Sequence, residues 1–368
     1  MLVKGEEMLF ALLRASLHGR PADEKFFTGA SGSDWKVCYN TAVKQGVLAL
    51  AWDGVVTLKQ ELHPPKQLKI QWAMSVDKYE AKHVHYCKTV EQLQKFYEEN
   101  GIVAVQMKGI ALAATYNNPS HREGGDIDIY TYSADTSKLS NEKANSLANE
   151  LISLQGVEVD YSHSEKHSNF YYNGIPVENH QWFVNQEIRS KFVTKLNGIL
   201  QKILNPKKEI LLNGECKILA ASQEFNMVFI AYHTFQHFGN GIALHHLYDW
   251  ANLINKFGLV IPKEVDEIHF LRAVAALTFL SNRYLDTNVD ISSFPDNYQE
   301  LAKIMFDEML LPKYQENIPY RNPIAVVLYK FRRLVYKSKL KGYVFGVSRF
   351  NFLLNTVFWH LRYPETIV

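Results

Sequence analysis

Apolar positions along this chain change their spacing twice, from helical to alternating and back to helical. Through residue 99 they recur at intervals of three or four. The run 8–13 is apolar but closely flanked by Glu6, Glu7 and Arg14. That reads as an amphipathic helix packing on the body rather than a secretory leader. Ser33 or Asp34 can cap a helix through Gln45. Pro64-Pro65 opens a long helix over 66–100, with Leu68, Ile70, Trp72, Val76, Tyr79 and Val84 as its expected buried stripe, and Gly101 ends it.

The period then shortens. Residues 102–107 form an apolar run of strand length, 110–116 a short helix, and Asn117-Asn118-Pro119 a returning turn. A strand follows from Asp126, then a helix over 135–154 and a strand over 157–161. Segments 169–172 and 175–180 flank Asn173-Gly174, a strong hairpin signal. Beyond 185, helices return over 223–237 and 244–256, separated by Gly239-Asn240-Gly241. One strand pair, 208–212 and 217–219, flanks Asn213-Gly214. The expected fold is α+β: a small mixed sheet in the middle, with a helical region over 1–100, an α/β core over 101–185 and a mainly helical region over 186–368.

Charge narrows the functions. The 40 basic and 38 acidic side chains of this 368-residue chain nearly cancel, so it carries no global field of the kind a nucleic-acid coat needs, and a template-dependent polymerase is not expected. Cys38, Cys87 and Cys216 have neither zinc-ligand spacing nor a disulfide framework, and fit a reducing cytoplasm. No stretch reaches the roughly 20 apolar residues of a membrane span.

Candidate chemistry concentrates at His121-Arg-Glu-Gly-Gly-Asp126-Ile-Asp128-Ile-Tyr130. Alternation along a strand turns Asp126 and Asp128 to one face and Ile127 and Ile129 to the other. Adjacent carboxylates repel unless a cation lies between them, and Mg²⁺ is the hard, oxygen-seeking candidate. Upstream, Lys108-Gly109 joins a strand to a helix, a junction that suits a phosphate. Arg122 can pair with a carboxylate or contact a triphosphate oxygen. If the hairpin lies beside the Asp126 strand, Glu178 becomes a third carboxylate facing the pair, with His180 on the same face.

Two further groups stand out. His233 and His237 lie at i and i+4, with His245, His246 and Asp249 on the next helix. No Glu follows the first His as in a zincin helix, so these read as polar core groups rather than zinc ligands. The segment 322–363 has no acid and interleaves Lys330, Arg332, Arg333, Lys337, Lys339, Lys341 and Arg349 with Tyr329, Phe331, Tyr336, Tyr343, Phe345 and Phe350. Its first reading is a solvated basic face with the aromatics packed inward. Its alternative is peripheral contact with an anionic membrane or a polyanion.

Taken together, Lys108-Gly109, Tyr116, Arg122, Asp126-Ile-Asp128-Ile and Val177-Glu-Asn-His180 resemble the uncharacterised nucleotidyltransferase family. This is a branch, found largely in bacteria, of the DNA-polymerase-β-like nucleotidyltransferase superfamily. The resemblance covers roughly residues 100 to 255 and reaches His233 and Asp249. It implies a polymerase-β-like core with Asp126, Asp128 and Glu178 as metal ligands and catalytic acids. It also implies Lys108, Gly109 and Arg122 at the nucleotide phosphates, Mg²⁺ or Mn²⁺ as cofactor, and a nucleoside triphosphate as substrate. Nucleotidyl transfer to an acceptor hydroxyl is the implied reaction. The alternative is a nucleotide-binding or regulatory protein on the same scaffold that does not catalyse. The chain departs from the family pattern at Ile110, where a hydroxyl or second glycine is usual, and at Glu178, where Asp is more familiar.

Overall fold

In a computed structural model, which describes residues 2–362 except 136–139, 162–165, 186–187, 189, 205–207, 213–215, 315–317 and 319–321, the alternating segments pair into one seven-stranded mixed sheet. Its strands are β1 Ile102–Met107, β2 Ile127–Ser133, β3 Val159–Asp160, β4 His167–Tyr172, β5 Ile175–His180, β6 Lys208–Leu212 and β7 Cys216–Ala220. Their order is β3-β4-β5-β2-β1-β7-β6. Central β2 runs antiparallel to β1 and parallel to β5. The helices are α1 Lys4–His18, α2 Gly32–Lys44, α3 Leu48–Val55, α4 Lys66–Glu99, α5 Lys108–Ala113, α6 Asn141–Leu154 and α7 Lys191–Ile203. They continue as α8 Gln223–His237, α9 Leu244–Phe257, α10 Ile268–Leu285, α11 Gln299–Leu310, α12 Pro323–Phe345 and α13 Arg349–Arg362.

Alternation divides the sheet into two covered faces. Ile127, Ile129, Phe170 and Val177 pack with Val90, Leu93 and Tyr97 of α4 and with Ala144, Ala148 and Ile152 of α6. On the other face Val105, Met107, Tyr130 and Tyr132 join the larger core beneath Phe183 and α8. Cover on both sides explains why β2 is buried along its whole length.

Several boundaries shift from the sequence reading. Ser31, not Ser33 or Asp34, caps α2: its Oγ accepts the Asp34 N–H at 3.2 Å, and Asp34 returns a bond to the Ser31 N–H at 2.8 Å. The run 8–13 is buried all round rather than on one face, making α1 a core helix. Its partner α3 approaches so closely that a Cβ on Gly54 would meet the Leu12 backbone at 2.7 Å. Along α4 the buried stripe is Trp72, Val76, His83, Tyr86, Val90, Leu93 and Tyr97, while Ile70 and Val84 fall out of that period and are exposed. Helix α6 starts at Asn141, capped by Ser140, and the part of its expected start at 136–139 lies outside the described residues. The sheet also runs past the expected core limit at 185, because β7 pairs parallel with β1. The Asn213-Gly214 turn between β6 and β7 lies outside the described residues.

Candidate active site

Asp126 and Asp128 reach their positions through a firmly tied loop. His121 bridges Asp53 at 2.6 Å and Glu80 at 2.9 Å, Glu123 accepts the Leu48 N–H at 2.8 Å, and Lys82 donates to the Gly124 carbonyl at 2.7 Å. These bonds fix the approach to β2 against α3 and α4, so the carboxylates are held by rigid elements rather than a free loop.

The hairpin does lie beside this strand. In the parallel β2–β5 ladder Asp128 stands opposite Glu178 and Tyr130 opposite His180. Asn179 between them points to the far face and is fully buried. There its Oδ1 accepts from Thr131 at 2.9 Å and from Asn145 at 3.0 Å, and its Nδ2 donates to Asn149 at 2.8 Å. A one-residue slip would bury Glu178 in that amide network and turn Asn179 to the acidic side, so the network holds the register.

Asp128, Glu178 and His180 each offer a ligand atom, all within 4.8 Å of one another. His180 Nε2 is 3.0 Å from Asp128 Oδ1 and 3.3 Å from Glu178 Oε2, and His167 Nε2 is 3.6 Å from the same Glu178 oxygen. Lys108 Nζ is 2.6 Å from Asp128 Oδ1, with both side chains buried. The sequence expectation put Lys108 at phosphates; here its ammonium is also the counter-ion of the central carboxylate. Lys108 has φ 38°, a positive value unusual for a side chain with Cβ, and Gly109 follows at φ 35°. This kink turns the chain from β1 into α5 beside the acidic strand, leaving a Cβ on Gly109 only 3.5 Å from the Asp126 carbonyl.

The charges divide unevenly. Burial raises the Asp126 carboxyl, and the neighbouring Asp128 charge raises it further. For Asp128, burial acts upward but the Lys108 ammonium and the His180 bond outweigh it, and its value falls below the usual carboxylate range. Glu178 is likewise held low: burial opposes, while the His180 bond and the Lys108 charge prevail. Lys166, which precedes β4, is pushed down to about 8 by burial and by the charge of Lys108. Asp128 and Glu178 converge with His180, Asp126 stands near enough for their charges to raise it, and the Lys108 and Lys166 ammoniums lie close by. That donor set fits a hard divalent cation.

Arg122 takes the carboxylate option among those read from sequence. Its Nε and Nη2 clamp Asp249 of α9 at 3.0 and 2.8 Å, and Tyr116 donates to the same carboxylate. This clamp fastens α9 to the loop before Asp126. Arg122 also lines a small pocket with Tyr79, Lys82, His83, Tyr86, Gly109 and Gly124. The Tyr86 hydroxyl is buried there with no hydrogen-bond partner among the described residues, and its pKa is raised by burial and then by the charges of Asp126 and Asp128.

His233, His237 and His246 converge, their nearest nitrogens within 4.8 Å of one another. His246 Nδ1 accepts the Ala243 N–H at 3.1 Å, so its proton sits on Nε2 and that nitrogen has no lone pair for a metal. Burial first, and then the charge of Lys108, push His233 down, and His237 is lowered to about 4 by the same causes. Cationic surroundings and the His246 tautomer both argue against a dication here.

Sequence reasoning did not include His180 or Lys166 among the site residues. Strand alternation pointed to His180, two residues after Glu178. No pattern pointed to Lys166, which reaches the site only because the hairpin folds back.

Residues 31–286 match the family described as uncharacterised nucleotidyltransferase. The chain belongs to that family. The match extends into the N-terminal helices, beyond the stretch from 100 to 255 that carries the motifs. Membership supports nucleotidyl transfer as the general class of activity. No curated protein matches the chain. A solved structure, an antigenic nucleotidyltransferase-like protein from Paracoccidioides brasiliensis, is similar at 16% identity over 57% of this chain and 96% of that chain, with a TM-score of 0.38.

Proposed function

We propose that this member of the nucleotidyltransferase family moves a nucleotidyl group from a nucleoside triphosphate to an acceptor hydroxyl at the Asp126–Asp128–Glu178 cluster. One observation carries the reading: the parallel β2–β5 pairing, which sets Glu178 opposite Asp128. Asp126, Asp128 and Glu178 would hold Mg²⁺ or Mn²⁺. Bound there, the cation would neutralise charge developing on the phosphoryl oxygens.

The side chains have separable tasks. Asp128, buried and kept ionised by Lys108 and His180, is a permanent anchor of negative charge. Asp126, raised and half-buried, exchanges with solvent more readily and binds at the mouth of the site. In the proposed step the acceptor oxygen attacks the α-phosphorus, the bond to the β-phosphate oxygen breaks, and pyrophosphate leaves. Glu178 accepts the acceptor's proton. Lys108, Gly109 and Arg122 would contact the phosphates, Gly109 and Arg122 from the wall of the small pocket they line with Tyr79, His83 and Tyr86.

A crystal soaked with Mg²⁺ and a non-hydrolysable ATP analogue tests this reading. The expected result is metal density among Asp126, Asp128 and Glu178, with phosphates near Lys108 and Gly109. Nucleotide bound elsewhere, with the acidic cluster free of metal, would overturn it. A second reading, a nucleotide-binding or regulatory protein that does not catalyse, draws on the 2.6 Å Lys108–Asp128 bond, in which an ammonium already neutralises the central carboxylate. It requires metal-dependent nucleotide binding with no release of pyrophosphate.

A further inference from the structure

Helix α12 shows a row of exposed apolar side chains at helical spacing: Ile324, Val327, Leu328, Phe331 and Val335. Helix α13, packed against it, shows a second row in Phe350, Leu354, Val357, Phe358 and Leu361. Phe331 is 60% exposed, Phe350 67% and Phe358 63%. All the exposed phenylalanines among the described residues lie on these two helices. An apolar face of this extent on a folded protein marks a contact surface.

Both rows sit in a cationic setting. On the helical wheel Arg332 and Lys339 border the α12 row on one side and Lys330 on the other, while Arg349 and Arg362 border the α13 row. No acid occurs from 322 through 363. The first sequence reading, with aromatics turned inward, therefore holds for Phe345, which is buried, but not for Phe331 or Phe350. Lys341 also leaves the surface, donating to the Phe235 carbonyl at 3.1 Å and to that of Gln236. It anchors α12 to the end of α8, so the outer apolar row is presented by a helix fixed to the core.

We propose that α12 and α13 form a docking face for the surface of an anionic lipid bilayer. Apolar rows bordered by Lys and Arg match the depth profile of that surface, with acyl chains below and phosphate headgroups at the flanks. A second copy of this chain would bring two acid-free cationic faces together, and a nucleic-acid backbone would leave the apolar rows in water. Among the described residues no helix is long and apolar enough to cross a membrane, so the contact is with the surface.

The test is sedimentation of the full-length protein with vesicles of phosphatidylcholine alone or mixed with phosphatidylserine. The protein should pellet with the mixed vesicles, stay in solution with phosphatidylcholine alone, and come off at high salt. Phe331→Ser with Phe358→Ser should cut partitioning by about tenfold or more, since each ring is lost from the bilayer. Arg332→Glu should cut it by at least about fivefold. Both variants should keep the parent's melting temperature, because these side chains are exposed in the free protein. Absence of binding to the mixed vesicles would overturn the proposal. So would equal binding to both vesicle types, or a Phe331-dependent dimer that does not bind lipid.

Discussion

At the residue scale the unequal treatment of Asp126 and Asp128 has measurable consequences. Asp128 is the hub of a buried ion cluster, so Asp128→Asn would take from the buried Lys108 its bonded counter-ion. That loss should destabilise the fold by about 3–5 kcal/mol. Asp126 is in the opposite state, its charge disfavoured by burial and by Asp128. Asp126→Asn should therefore leave the melting temperature unchanged or slightly raised, while nucleotidyl transfer falls by at least about 10³-fold. Thermal unfolding beside a pyrophosphate-release assay separates the two variants. Equal losses of stability would contradict this division of roles. The two acids are identical in sequence terms; the Lys108 and His180 side chains, bonded to Asp128 and not to Asp126, tell them apart.

At the element scale the register of β5 decides the site, and Asn179 holds it. Replacing Asn179 with Ala removes the acceptor of Thr131 and Asn145 and the donor to Asn149. Unfolding in urea should then report a loss of about 2–4 kcal/mol, because Thr131, Asn145 and Asn149 each lose a buried partner. A variant as stable as the parent would mean that the ladder alone fixes the pairing. The hairpin itself was legible from Asn173-Gly174 and the flanking alternation. Its neighbour was not, since β2 and β5 are separated in the chain by a helix and two strands. The α4 stripe shows a related limit. Ile70 and Val84 are as apolar as their buried neighbours, and only the chosen angle of the helix on the sheet leaves them in water.

At the scale of the whole molecule, α8 and α9 bring a group of neutral histidines against the cationic side of the site. The sign of their effect on stability follows from the shift. His237 is lowered from 6.5 to about 4, first by burial, then by Lys108, Lys341, His245 and Lys166. Its contribution is fully present above 6.5, the unfolded value, and is lost as pH falls toward 4, because the unfolded chain binds the proton first. Between about pH 7 and about pH 5 the protein should lose on the order of 2 kcal/mol through this group, and His237→Gln should flatten that part of the profile. Denaturant midpoints across the range check it; an unchanged slope in the variant would assign the pH dependence elsewhere. Helix α12 also serves the whole fold. Leu340, Val344 and Phe345 are buried in the main core, so Leu340→Ala should cost about 2–5 kcal/mol. For that reason the basic segment cannot be deleted as an inert tail, and point substitutions on its exposed row are the cleaner probe of what it contacts.

The sequence by itself determined the periods, and with them the central strands, the helical flanks and the tight turn at Asn173-Gly174. Those features are local, set by alternation, capping and turn chemistry within a few residues of one another. Tertiary structure alone decided that Glu178 stands across from Asp128, that Arg122 belongs to Asp249 and Lys108 to Asp128, and that Phe331 and Phe358 face outward. Each of these pairs residues far apart in the chain, or fixes one helix face over another. Such choices depend on how whole elements pack, and the spacing of residues along a strand or helix does not contain them.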